Sequence, residues 1–156
     1  MKNRKRGFSL VELLIVLAVI AALIATITPV ALNAIRKAQA TKVAQNIKTL
    51  ASALENAAYV NGVSGNTISE VSTIGKLGRD IDEGNYGVWY GHVGEGKFRV
   101  SVFTKEAVDF TTSKSVLGDL TKTLPSAYLT GTTPTKLGLD TETGFNFGYN
   151  FEFIVY

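Results

Sequence analysis

From Phe8 to Ile35 the chain reads FSLVELLIVLAVIAALIATITPVALNAI, 28 residues in which Glu12 is the only charge. A helix needs roughly 20 apolar residues to cross a bilayer, so this run is predicted to span a membrane. It is apolar all round and therefore belongs in lipid or among other apolar helices. From Ala31 to about Tyr59 the pattern changes. Val43, Ile47, Leu50, Leu54 and Ala57–Ala58 recur at steps of three or four, while Lys42, Gln45, Lys48, Thr49, Ser52 and Glu55 fall largely on the other face. That spacing predicts an amphipathic helix whose stripe packs on its own globular domain. Asn61-Gly62 supplies a stop. One continuous helix over Phe8–Tyr59 would run about 78 Å at 1.5 Å per residue. Pro29 is expected to kink it, because a mid-helix proline removes a hydrogen bond and crowds the preceding turn.

Beyond the helix the period shifts towards two. Val63–Gly84 is rich in Gly, Ser, Thr and charge, and reads as a connection with a short helix near Ser69–Leu77. Asn85–Val93 alternates, with Tyr86, Val88, Tyr90 and His92 on one side and Trp89 on the other. Gly94-Glu95-Gly96 is a hairpin signal. Lys97–Thr104 sets Phe98, Val100 and Val102 opposite Arg99, Ser101 and Phe103. A third strand is predicted at Ala107–Thr111, then a mostly irregular Ser113–Thr143 with a short helical turn, then a strong strand over Phe145–Tyr156. The expected fold class is α+β: a long N-terminal helix packed on a small antiparallel sheet, which buries both apolar faces.

Charge sharpens the picture at the N-terminus. The formal charge is +3, but Lys2, Arg4, Lys5 and Arg6 sit in the first six residues. Without them 12 basic residues face 13 acidic ones, so the basic balance is poor evidence for a nucleic-acid surface. The basic cluster ahead of the apolar run favours a cytoplasmic N-terminus. With no cysteine, a disulfide framework and thiolate chemistry are excluded.

Three readings of the N-terminal segment compete. A secretory signal peptide has a shorter apolar region of about 7–15 residues ending at a small-x-small site; here no Ala-x-Ala occurs before Ala38-Gln39-Ala40. A plain anchor leaves Glu12 unexplained, since a carboxylate deep in a bilayer costs about 2.5–3.5 kcal/mol. Cleavage after Gly7 explains it. The basic leader would leave, Phe8 would gain an α-amine, and Glu12 would sit near the start of the helix, where the dipole favours negative charge. Within one rigid helix amine and carboxylate point apart, so pairing between neighbouring chains is the easier geometry. Such a pair fixes register more than it adds stability.

Gly7-Phe8-Ser9-Leu10-Val11-Glu12, after a Lys/Arg-rich leader and before an apolar run, resembles the precursors of type IV pilins and pseudopilins. The resemblance implies a peptidase that cuts after Gly7, N-methylation of Phe8, and pairing of Glu12 with the amine of an adjacent subunit. Pro29 falls where many pilins carry a kinking proline. It implies three parts: residues 1–7 as cleaved leader, 8–35 as membrane and filament-core segment, and 36–156 as extracytoplasmic domain, including the amphipathic helix to about 59. The implied function is a structural subunit of a helical filament, made as a single-pass precursor in the cytoplasmic membrane and found afterwards in an extracellular or periplasmic filament. Implied partners are identical subunits, the prepilin peptidase, a membrane assembly platform with its ATPase motor, and inner-membrane lipid. Alternatives are a minor pilin or a pseudopilin of type II secretion or DNA uptake, and, in a different class, a single-pass ligand-binding protein that never polymerises.

No catalytic set or cofactor emerges. His92 is the only histidine and has no partner for a triad. Gly91-His-Val-Gly94-Glu-Gly96 has the wrong glycine order for a dinucleotide loop. Asp80 and Asp82, with Asp140 and Glu142, are candidate calcium ligands because hard cations favour clustered oxygens; they lack a full ligand spacing, and solvated turns are the simpler reading. Base stacking on the aromatic residues competes with a sheet core, which their alternation favours.

Overall fold

The computed structural model describes residues 7–156; the basic cluster Lys2–Arg6 lies outside the described residues. Helix α1 runs Leu10–Asn61. The chain divides into two compact units, the first ending at Arg36 and the second spanning Lys37–Tyr156.

In the first unit every described residue is exposed. This part of α1 is long and apolar enough to cross a membrane. The Thr26 hydroxyl donates to the Ala22 carbonyl at 2.9 Å and the Thr28 hydroxyl to Ile24 at 2.7 Å. The helix thereby satisfies its own polar side chains, as an apolar setting requires. Pro29 lies inside α1, which continues on both sides of it without a break.

The second unit is a helix laid on a sheet. The α1 side chains of Val43, Ile47, Leu50, Leu54 and Ala58 are buried, which is the predicted stripe. Strand β1 (Val63–Ser64) pairs with β2 (Thr67–Ile68), and a single 3-10 turn follows at Ile74–Lys76. Strands β3 (Tyr86–Gly94) and β4 (Lys97–Thr104) form the predicted hairpin. Its turn needs glycine at position 96, where φ is +72° and a Cβ would overlap the Val155 carbonyl. Strand β7 (Phe147–Ile154) pairs antiparallel with β4, Phe98 opposite Phe153 and Val102 opposite Tyr149. Tyr86, Val88, Tyr90, Phe98, Val100, Val102, Phe147 and Phe153 form one core with the α1 stripe. Alternation at period two places them on the helix side.

The predicted third strand at Ala107–Thr111 is not formed. Residues 105–109 are irregular and helix α2 occupies Phe110–Val116. Asp109 caps it by accepting from the Thr112 N–H at 2.6 Å, and the Ser113 hydroxyl donates to the Ala40 carbonyl at 3.4 Å. Aspartate at a helix start wins over the short alternation around it. The stretch predicted as mostly irregular also holds β5 (Leu120–Thr121), α3 (Pro125–Tyr128) and β6 (Thr135–Gly138). The five-stranded sheet has the order β5-β7-β4-β3-β6. On the face away from α1, Trp89, Phe103 and Leu129 build a second small core with Tyr128, Leu139 and Phe145.

Candidate functional site

Helix α1 begins at Leu10, two residues later than its periodicity suggests, and Ser9 is the reason. The Ser9 hydroxyl accepts from the Glu12 N–H at 3.2 Å, while the Glu12 carboxylate accepts from the Ser9 N–H at 2.9 Å. The first backbone bond runs from the Leu13 N–H to the Ser9 carbonyl at 3.2 Å. This is a reciprocal capping box, in which residues at the cap and three positions on satisfy each other's free N–H groups. Glu12 also stands in the first turn, on the favourable end of the dipole.

The box sets what precedes it. Gly7, Phe8 and Ser9 are not helical. Phe8 is 88 % exposed. Gly7, Phe8, Ser9 and Glu12 together line an open hollow. The expectation that residues 8 and 12 share one rigid helix therefore does not hold. Phe8 lies outside α1, and the Glu12 carboxylate folds back to the amide of the very next residue. Ser9-x-x-Glu12 ahead of an apolar run is the sequence signature of such a box.

The other candidate residues are not brought into a site. Asp82 accepts from the Gly84 N–H and the Asn85 side-chain amide, both at 2.8 Å. Glu142 accepts from the Ser126 N–H at 2.6 Å and its hydroxyl at 3.0 Å. Asp82 shapes its own turn, and Glu142 holds the start of α3. Lys136 reaches the backbone carbonyl of Asp140. Asp80 has φ of +64° in its turn. Among the described residues no group of three or more His, Cys, Asp or Glu could hold a metal. His92 is half-buried, its ring 5.1 Å from that of Phe98. Tyr149, Phe151 and Phe153 stack along β7 and pack against the main core.

The site with functional content is thus the start of α1. Residues 2–28 match the family model of the prokaryotic N-terminal methylation motif. This motif is the type IV pilin and prepilin signature. It takes in Gly7, Phe8, the capping box and most of the apolar helix. No curated protein and no solved structure matches the chain. The motif supports a type IV pilin-like or pseudopilin protein and points to a structural family, not an enzyme. With an apolar helix long enough to cross a membrane, it fits a membrane-anchored prokaryotic precursor.

Proposed function

We propose that this chain is a prepilin, cut between Gly7 and Phe8, N-methylated on Phe8 and polymerised into a helical filament through residues 8–35. The carrying observation is the methylation motif over residues 2–28. The exposed apolar segment supports the reading, since all of it awaits cover from lipid or from like helices. Against water, burial of that surface among like helices is worth about 25 cal/mol per Å², which holds the subunits together once they have left the lipid. The leader has to go, because Lys2, Arg4, Lys5 and Arg6 could not enter an apolar core. Before cleavage the chain sits in the cytoplasmic membrane with its N-terminus in the cytoplasm, and residues 36–156 form the extracytoplasmic domain. Afterwards that domain decorates a filament whose core is the apolar helices. A prepilin peptidase, an assembly platform and its ATPase motor are the partners this life cycle requires.

Glu12 has a place in both states. In the precursor it caps Ser9. Once Phe8 carries an amine, the same carboxylate faces a cation at the start of its own or a neighbouring helix. The deciding measurement is the intact mass of protein sheared from cells: it should lack residues 1–7 and carry one extra methyl group. Full-length chain that stays in the membrane would sink the proposal. Glu12→Ala should still be cut but enter filaments poorly; normal incorporation would remove the assembly role of Glu12.

A further inference from the structure

We infer that Ser9 is a positioning residue for leader removal: its capping bond fixes the start of α1 and so keeps the Gly7–Phe8 bond out of the helix, open to the peptidase. The inference rests on the cleavage reading above and assigns a residue to it.

A scissile carbonyl must be free to be attacked. In a helix continued back through residue 7, the Gly7 carbonyl would accept the Val11 N–H and the bond would be wound into a turn. An uninterrupted apolar run favours such continuation, since each added residue brings one more bond at little cost. In the structure this does not happen. The bond from the Glu12 N–H to the Ser9 hydroxyl uses a donor that backward growth would turn to the Phe8 carbonyl. The return bond from the Ser9 N–H to Glu12 uses another. The first backbone bond of the helix ends on Ser9, and Gly7 and Phe8 are left exposed and outside any helix or strand.

The two bonds are separable. Glu12→Ala keeps the Ser9 hydroxyl bonded to the N–H of residue 12, so the helix start survives. Ser9→Ala removes the acceptor itself. A lost N-cap shifts the local equilibrium about fivefold. If the non-helical form is the one the peptidase binds, the apparent affinity falls with the fraction of chains that keep it, by at most that factor.

The test uses the full chain in detergent micelles with a purified prepilin-type peptidase, following leader removal by mass. Ser9→Ala should raise KM up to about fivefold and leave kcat unchanged. Ser9→Asn and Ser9→Thr, which restore a side-chain acceptor, should bring KM back. Alanine is smaller than serine and asparagine is larger, so this order cannot arise from crowding in the peptidase. The Phe8 Cα chemical shift should move towards helical values in Ser9→Ala alone. A Ser9→Ala chain cut with wild-type KM would overturn the inference. So would a loss that Asn fails to rescue; rescue by Thr alone would mean direct contact between the residue 9 hydroxyl and the enzyme. A wild-type chain not cut at Gly7–Phe8 would overturn the cleavage reading as well; a cut wild type with an unaffected Ser9→Ala variant would overturn only the role of Ser9.

Discussion

The side-chain amide of Asn46 on α1 donates to the hydroxyl of Tyr86 on β3 at 3.1 Å, tying the helix to the first strand of the sheet at the edge of the core. Tyr86 is 1 % exposed. Burial, the largest cause, pushes its hydroxyl well above the ordinary value of 10.0; the Asn46 bond draws it partly back and Glu106 pushes it further up. The folded state therefore holds this proton after the unfolded chain has lost it. Stability from this group is complete below pH 10 and falls as pH rises above it. Tyr86→Phe should cost about 1 kcal/mol at neutral pH and flatten part of the alkaline decline. Urea titrations of both chains on either side of that pH test this; parallel alkaline slopes would contradict it.

Ile47 is fully buried between α1 and the sheet. Ile47→Ala should destabilise the second unit by about 2–5 kcal/mol through lost contacts and a residual cavity. The proposed cleavage site lies in the first unit, so leader removal should proceed as in the wild type while the yield of intact filaments drops. Slowed leader removal in this variant would argue against separate roles for the two units.

A Cβ on Gly87 would overlap the ring of Phe103, which itself stands edge-on to Trp89 with ring centroids 5.4 Å apart. Gly87→Ala should cost about 1–3 kcal/mol by overpacking. Phe103→Leu in the same chain should recover part of it, a coupling that a double-mutant cycle measures. Trp89 is the sole tryptophan, so its emission reports the disturbance directly. Additive losses would mean that the two sites do not meet.

Arg99 and Glu152 face each other across β4 and β7, with the Arg99 Nε 2.8 Å from the carboxylate, and Lys97 binds its other oxygen. The Lys97 bond first, then Arg99, holds the Glu152 carboxyl below its ordinary value of 4.5. That stability is present above this pH and lost as pH falls through the lowered value. The group is about one-third exposed, so Glu152→Gln should cost less than about 1 kcal/mol at neutral pH. The difference should vanish in acid and shrink in salt; a difference that persists in acid would contradict the assignment.

Local periodicity carried much of the fold. The stripe from Val43 to Ala58, the β3–β4 hairpin and the facing of Tyr86, Val88 and Tyr90 against Trp89 were all legible, because a side chain's face follows from its place in a period of 3.6 or two. The region from Ala107 to Thr143 was not. Its elements are two to seven residues long, too short for a period to stand out. They form because partners distant in the chain accept them: β6 on the far edge of β3, β5 on the end of β7. Of the candidate site, Gly7, Phe8 and Glu12 were readable as a motif, and the Ser9-x-x-Glu12 spacing also spells the box that joins those two residues.

The basic N-terminal cluster, the apolar segment with its one carboxylate and the amphipathic stripe that follows could be read directly from the chain, since charge and hydropathy exist before it folds. Only the tertiary structure decided the strand order β5-β7-β4-β3-β6 and the second core around Trp89. Strand pairing and core contacts join residues far apart in the chain, and no local pattern specifies which distant edge a strand will meet. The beginning of α1 stands between the two. Its residues are local, yet it took atomic geometry to show that Glu12 turns back to the Ser9 amide and that Phe8 is left outside the helix.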